Sequence, residues 1–179
     1  MADNGMWTEP GTDPRQGLAP GRGEREVLAQ YLEHYRMTLE LKCDGLSAEQ
    51  LAARSVPPST LSLLGLVRHL ARVEHGWWRR TIEGHADLPA LYRTDAAPDL
   101  DFDGAAPDDE TVADAWRAWR REAEHAREVY AGLDLDSLIE VHGEHVEARD
   151  IVVHLVEEYA RHCGHADLLR ECVDGRTGQ

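Results

Sequence analysis

Four long stretches of this sequence repeat apolar side chains at helical spacing, and none alternates with the period of two that a half-buried strand requires. That pattern confines the chain to an all-α packing in which amphipathic helices bury one stripe each. The first stretch, residues 24–42, carries Val27, Leu28, Tyr31, Leu32, Tyr35, Leu39 and Leu41 and stops at Asp44 and Gly45. Ser47 followed by Gln50 matches a capping box and predicts a short helical turn through residue 53, ended by Pro57 and Pro58. The second stretch begins near residues 59–62 and runs to Gly84 through Leu63, Leu66, Val67, Leu70, Val73, Trp77 and Ile82. Asp108 or Asp109 can cap a third helix, with a stripe of Val112, Trp116, Trp119, Ala123, Ala126 and Val129 ending at Gly132. The fourth spans residues 148–173 and closes on Asp174 and Gly175. Residues 85–107 read as a long crossover loop, and the segment around Gly143 as a shorter one. An antiparallel four-helix bundle with long crossover connections is the economical architecture, its helix order left open. Residues 1–23 have the Gly and Pro content of a disordered or loosely docked tail, residues 24–175 form the bundle, and 176–179 are a C-terminal tail.

At 179 residues the chain is one ordinary domain's worth. Its formal charge of −15, from 34 acidic and 19 basic residues, repels phosphate backbones and anionic membrane surfaces, which argues against nucleic-acid and membrane partners. The N-terminus lacks the charged-then-apolar order of a secretory signal and no twenty-residue apolar run occurs, so a cytoplasmic location is expected. Cys43, Cys163 and Cys172 have no CxxC spacing and suggest neither a disulfide framework nor a zinc knuckle.

Chemistry concentrates in the fourth helix. With Glu158 at zero on a wheel of about 100° per residue, His154, His162 and His165 all fall within about 40°, in an arc that also holds Ile151 and Leu169. Such a face should point into the bundle, where carboxylate and imidazole groups need compensation. Glu158 and His162, four residues apart, can reach one divalent ion, and a third ligand should come from a facing helix, for which His69 is the candidate. His154 and His165 are equally readable as groups that orient a ligand or as plain polar contacts. Gly65 and Gly76 flank the His69 face, and each costs about 1 kcal/mol in a helix interior; leaving room beside the ion for a ligand would explain both. Arg80, further along that face, is placed to meet a carboxylate or phosphate of a bound cosubstrate. The tryptophans and Cys163 are read as core packing, and the acidic run 99–110 as a solvated loop.

Two stretches, STLSLLGLVRHLARVEHGWW at 59–78 and VVHLVEEYARHCGHADLLRECVDG at 152–175, resemble the DinB-like superfamily of metal-binding four-helix bundles, and more closely its mini-circle-protein branch. Many members hold a metal with three histidines; Glu158 replaces the first of the pair on the last helix. That departure is similar to the N-terminal domain of mycothiol-dependent maleylpyruvate isomerase, in which a His, Glu, His set holds zinc. The resemblance implies His69, Glu158 and His162 as ligands, excludes His165 from them, and implies a homodimer in many members. It does not extend to that isomerase's C-terminal domain, so its substrate does not carry over. The expected function is a metal-dependent enzyme, a thiol transferase or isomerase, that activates a low-molecular-weight thiol such as mycothiol against a small electrophilic substrate. The expected ion is zinc, with nickel, iron or manganese also matching the donor set. Two alternatives remain open at this level: a hydrolase whose ion activates water, and a non-catalytic metal-binding bundle associated with stress.

Overall fold

The computed structural model describes residues 13–178. The part of the N-terminal tail before residue 13, and Gln179, lie outside the described residues. Four long helices dominate: α1 (Gly23–Cys43), α3 (Leu63–Glu74) with its continuation, α5 (Asp109–Gly132) and α6 (Ala148–Asp174). The short helices α2 (Ala48–Ala52) and α4 (Leu100–Asp103) sit in the connections. Packing fixes the order that the sequence left open: α1 lies along α6, α3 along α5, and α3 also meets α6.

The boundaries follow local chemistry. Ser47 and Gln50 make both bonds of the capping box at α2. Ser62 caps α3 through the Gly65 amide, and Asp108 caps α5 through the Thr111 amide. Gly175 closes α6 in the left-handed conformation, φ 80°. Arg15 of the tail is buried against α1, donating to Thr38 and paired with Asp13, so residues 13–17 are firmly docked.

Three features depart from the sequence reading. First, the second helix is not one continuous α-helix. Past Glu74 it widens into a π-helical segment, His75–Ile82, in which Glu83 N–H reaches the Trp78 carbonyl five residues back. A wheel of constant pitch therefore fails beyond residue 74. Second, the segment around Gly143 is a β-hairpin, β1 (Leu138–Val141) paired antiparallel with β2 (Glu144–Glu147). His142 at φ 53° and Gly143 at φ 87° form its two-residue turn, with both central residues at the positive φ such a tight hairpin needs. The hairpin runs directly into α6 and lays β1 against the π segment. Third, the crossover 85–107, read as a loop, contains the helix α4 and is pinned by side chains. The Arg68 guanidinium stacks over Tyr92 at 3.9 Å, Tyr92 donates to Asp114 at 2.7 Å, and His75 meets the Pro89 carbonyl at 3.0 Å.

Among the buried polar groups, one hydrogen-bonded chain ties all four long helices. Trp119 of α5 donates to the Tyr159 hydroxyl of α6 at 2.9 Å, and Tyr159 donates to Glu74 of α3 at 2.7 Å. Arg36 of α1 donates to the same Glu74 oxygen at 2.9 Å. Arg36, not the half-exposed Tyr31, thus occupies the inner face of α1. Burial, which opposes charge on Arg36, is outweighed by Glu74, so the guanidinium stays ionised. Such a chain rewards one helix register, since any slip strands a buried donor.

Candidate metal centre

α3 and α6 cross where His69, Glu158 and His162 meet. One ligand atom from each lies within 4.8 Å of the others, a separation one divalent ion can bridge. His69 Nε2 is 3.7 Å and His162 Nε2 is 3.4 Å from Glu158 Oε2. The i, i+4 spacing on α6 delivers Glu158 and His162 to adjacent turns, and the contact with α3 supplies His69. His162 is buried, while His69 and Glu158 keep about a fifth of their side chains exposed. Two imidazoles and a carboxylate, converging with one side open to solvent, fit a divalent cation that retains a free coordination position.

The back of each imidazole is occupied. His69 Nδ1–H donates to Asp101 Oδ2 at 2.9 Å, which leaves the Nε2 lone pair facing the cluster. His162 Nδ1 lies 3.3 Å from His165 Nδ1. Burial and the neighbouring His162 lower the His165 pKa, which favours an uncharged ring at the back of His162, whose Nε2 lies on the Glu158 side. Burial alone would lower the pKa of His69, but Asp101 and Glu158 outweigh it and raise the value. Glu158 is held well below the usual carboxylate range by His162 and His69. The three groups are thus electrostatically coupled, and a proton is the competitor that a cation must displace.

Asp101 was not legible in the sequence. It belongs to the acidic run expected to be solvated, yet it is fully buried. α4 carries it inward and is clamped there: Arg68 donates to the carbonyls of Asp101 and Leu100, and Arg72 donates to Asp101 Oδ2 at 2.8 Å. The neighbouring Phe102 stacks on the His69 ring, centroids 5.0 Å apart. Gly65 has a different purpose from the one expected of it. A Cβ at that position would stand 3.0 Å from the Phe102 ring, so Gly65 admits Phe102 rather than a ligand. Gly76 does face open space and lines a cleft, as its position suggested.

That cleft, about 930 Å³, begins at His69 and runs between the π segment and the hairpin, past Trp77, Arg80, Ile82 and Leu138. Arg80 donates through Nη2 to the Ala86 carbonyl at 3.0 Å. Trp77 lines the cleft, a departure from the core packing expected of it, and Trp78 and Trp119 are buried as expected. His154 stands half exposed, its ring 4.9 Å from Trp77 and its Nε2 3.7 Å from Glu158 Oε1, outside the convergent trio. Cys163 points away toward the Tyr35 carbonyl, and burial pushes its thiol up to about 12, as it does for Cys43. Neither thiol is available as a nucleophile at neutral pH.

No helix among the described residues is long and apolar enough to cross a membrane. A family model described as mycothiol-S-transferase matches residues 27–175. No curated protein and no solved structure matches the chain.

Proposed function

The chain belongs to the mycothiol-S-transferase family, and from that premise we propose that it is a metal-dependent enzyme transferring a low-molecular-weight thiol, mycothiol or a close relative, onto a small electrophile. The observation that carries this reading is the convergence of His69, Glu158 and His162, with their backs fixed by Asp101 and His165 and their front beside a cleft large enough for two small reactants.

His69, Glu158 and His162 would hold the ion. When bound, a divalent cation supplies a positive charge that makes an adjoining thiol lose its proton at neutral pH. Asp101 keeps His69 in the tautomer whose Nε2 can donate its lone pair, and His165 stands against Nδ1 of His162 and limits its rotation. Phe102 covers one face of His69 and keeps water from that side. Trp77, Ile82 and Leu138 offer an apolar wall along which an electrophile can lie, and Arg80 binds a polar end of one reactant. Zinc suits the donors, and nickel, iron or manganese would also fit.

The test is consumption of an aryl halide, 1-chloro-2,4-dinitrobenzene, with mycothiol, with cysteine and with no thiol, before and after chelation. The proposal expects thiol-dependent conjugation that chelation abolishes and added metal restores. Equal turnover without thiol would place the chemistry with water instead.

A further inference from the structure

Two arginines, Arg72 and Arg80, line the metal-site cleft, and Arg80 differs from Arg72 and from its own neighbour Arg79 in its partners. Arg72 spends its charge on Asp101, and Arg79 on Glu122. Arg80 makes no ion pair among the described residues; its one hydrogen bond goes to the neutral carbonyl of Ala86, and its Nε is buried without a partner. The chain is strongly acidic overall, so a guanidinium left without a carboxylate is not explained by a shortage of acids. The rest of the guanidinium is partly exposed, but a buried donor left without a partner is costly unless a ligand completes it. Part of the cleft wall, at Trp77, Ile82 and Leu138, is apolar, while Arg72, Glu140 and His142 also line it.

We propose that Arg80 is the carboxylate-binding residue for the electrophilic substrate, and that this substrate is an elongated monoanion with an apolar body. The inference rests on the thiol-transferase reading for the identity of the reacting end. Length follows from placement: Arg80 lies eleven residues beyond His69 on one helical rod whose second part is the π segment, so the two are separated by at most about 16 Å along the axis at about 1.5 Å per residue. A ligand reaching both ends is therefore extended. Charge follows from donor supply. With Nη2 committed to Ala86 and Arg72 committed to Asp101, one guanidinium remains to meet the anion. That suffices for a carboxylate, whereas a phosphate dianion calls for more donors. The apolar part of the wall suits a hydrocarbon or aromatic spacer between the two ends.

Two readouts test this. In the first, calorimetry compares binding of 4-phenylbutyrate with its carboxamide in wild type, Arg80→Gln and Arg80→Lys. The acid should bind the wild type about tenfold more tightly than the amide, a ratio expected from one charge-assisted hydrogen bond. Arg80→Gln should remove the preference and Arg80→Lys should keep part of it, with circular dichroism confirming that both variants fold. In the second, acid and amide versions of one chloronitroaryl electrophile are compared in the thiol assay, where Arg80→Gln should raise KM for the acid alone. A wild type that does not distinguish acid from amide, or a preference that survives in Arg80→Gln, overturns the inference. Thiol-dependent turnover without acid preference refutes the role of Arg80 and leaves the transferase intact; acid binding lost in Arg80→Gln without thiol-dependent turnover does the reverse.

Discussion

Replacing Asp101 by asparagine exchanges a buried carboxylate for an amide of the same shape, and the structure allows the consequence to be sized. Asp101 accepts from His69 Nδ1 at 2.9 Å, from Arg72 Nη1 at 2.8 Å and from the Phe102 amide at 3.1 Å. The amide oxygen can still take the His69 proton, so the tautomer survives, but the negative charge that makes Nε2 a better donor is gone. Outer partners of this kind contribute about ten- to a hundredfold in metal affinity, or about 1.4–2.7 kcal/mol. Asp101→Asn should sit near the lower end. Asp101→Ala, which also strips the partner from His69 and Arg72, should sit near the upper. The amide oxygen still accepts from Arg72, which loses only its counter-charge, whereas Asp101→Ala leaves the partly buried Arg72 donor unmatched at a cost of about 1–3 kcal/mol of stability. A fall in Tm of about 2–4 °C per kcal/mol would accompany it. The assay is competitive titration of the apoprotein against a chromophoric zinc chelator, with thermal melts of apo and loaded protein in parallel. If both variants bind zinc within twofold of wild type, Asp101 does not orient His69 and the account of α4 is wrong.

Other substitutions probe the surrounding architecture. Gly65→Ala should displace Phe102 from its stack and destabilise the protein by about 1–3 kcal/mol, whereas Gly76→Ala meets open space and should be neutral or slightly stabilising in the same melts. Tyr159→Phe strands Trp119 Nε1–H in the core and leaves the shared Glu74 oxygen with Arg36 alone, and urea denaturation should show a loss of about 1–3 kcal/mol. Acid should unfold the protein partly through Glu122. Burial would raise its pKa, but Arg79 and Arg121 outweigh burial and hold it below its ordinary value. Its stabilising effect is therefore full above that ordinary value and is lost as pH falls through the lower folded one. Glu122→Gln should be less stable at neutral pH and should flatten the acid limb of a stability-against-pH curve; an unchanged limb would rule Glu122 out as a contributor.

The helices and the convergent trio could be read from the sequence because both depend on short-range periodicity. Leu63 to Leu70 on α3 and Ile151 to Leu169 on α6 mark their inner faces, and the four-residue spacing of Glu158 and His162 is itself helix geometry. What was not legible depends on contacts distant in sequence or on departures from ideal pitch. Nothing distinguishes Asp101 from Asp99 and Asp103 locally; Arg68, His69 and Arg72, about thirty residues earlier, draw it inward. The π segment has no compositional mark, so a wheel of constant pitch misplaces residues past Glu74, Arg80 among them. The hairpin did leave a signal, since His142 and Gly143 separate two four-residue runs containing Ile139, Val141 and Val146. A histidine before the glycine, in place of the usual asparagine or aspartate, and the brevity of the strands concealed it. Arg36 and Glu74 were hidden for a related reason: charged residues on an inner face look like interruptions until Tyr159 and Trp119 are seen to complete them.

The most direct test of the metal centre is elemental analysis of the purified protein, with zinc titration of the apoprotein, for wild type and for His69→Ala, Glu158→Gln and His162→Ala. One divalent ion per chain in the wild type, lost or weakened by at least a hundredfold in each variant, is the result predicted. A wild type that takes up no metal, or variants that keep their full complement, would contradict the proposal that these three side chains share one cation.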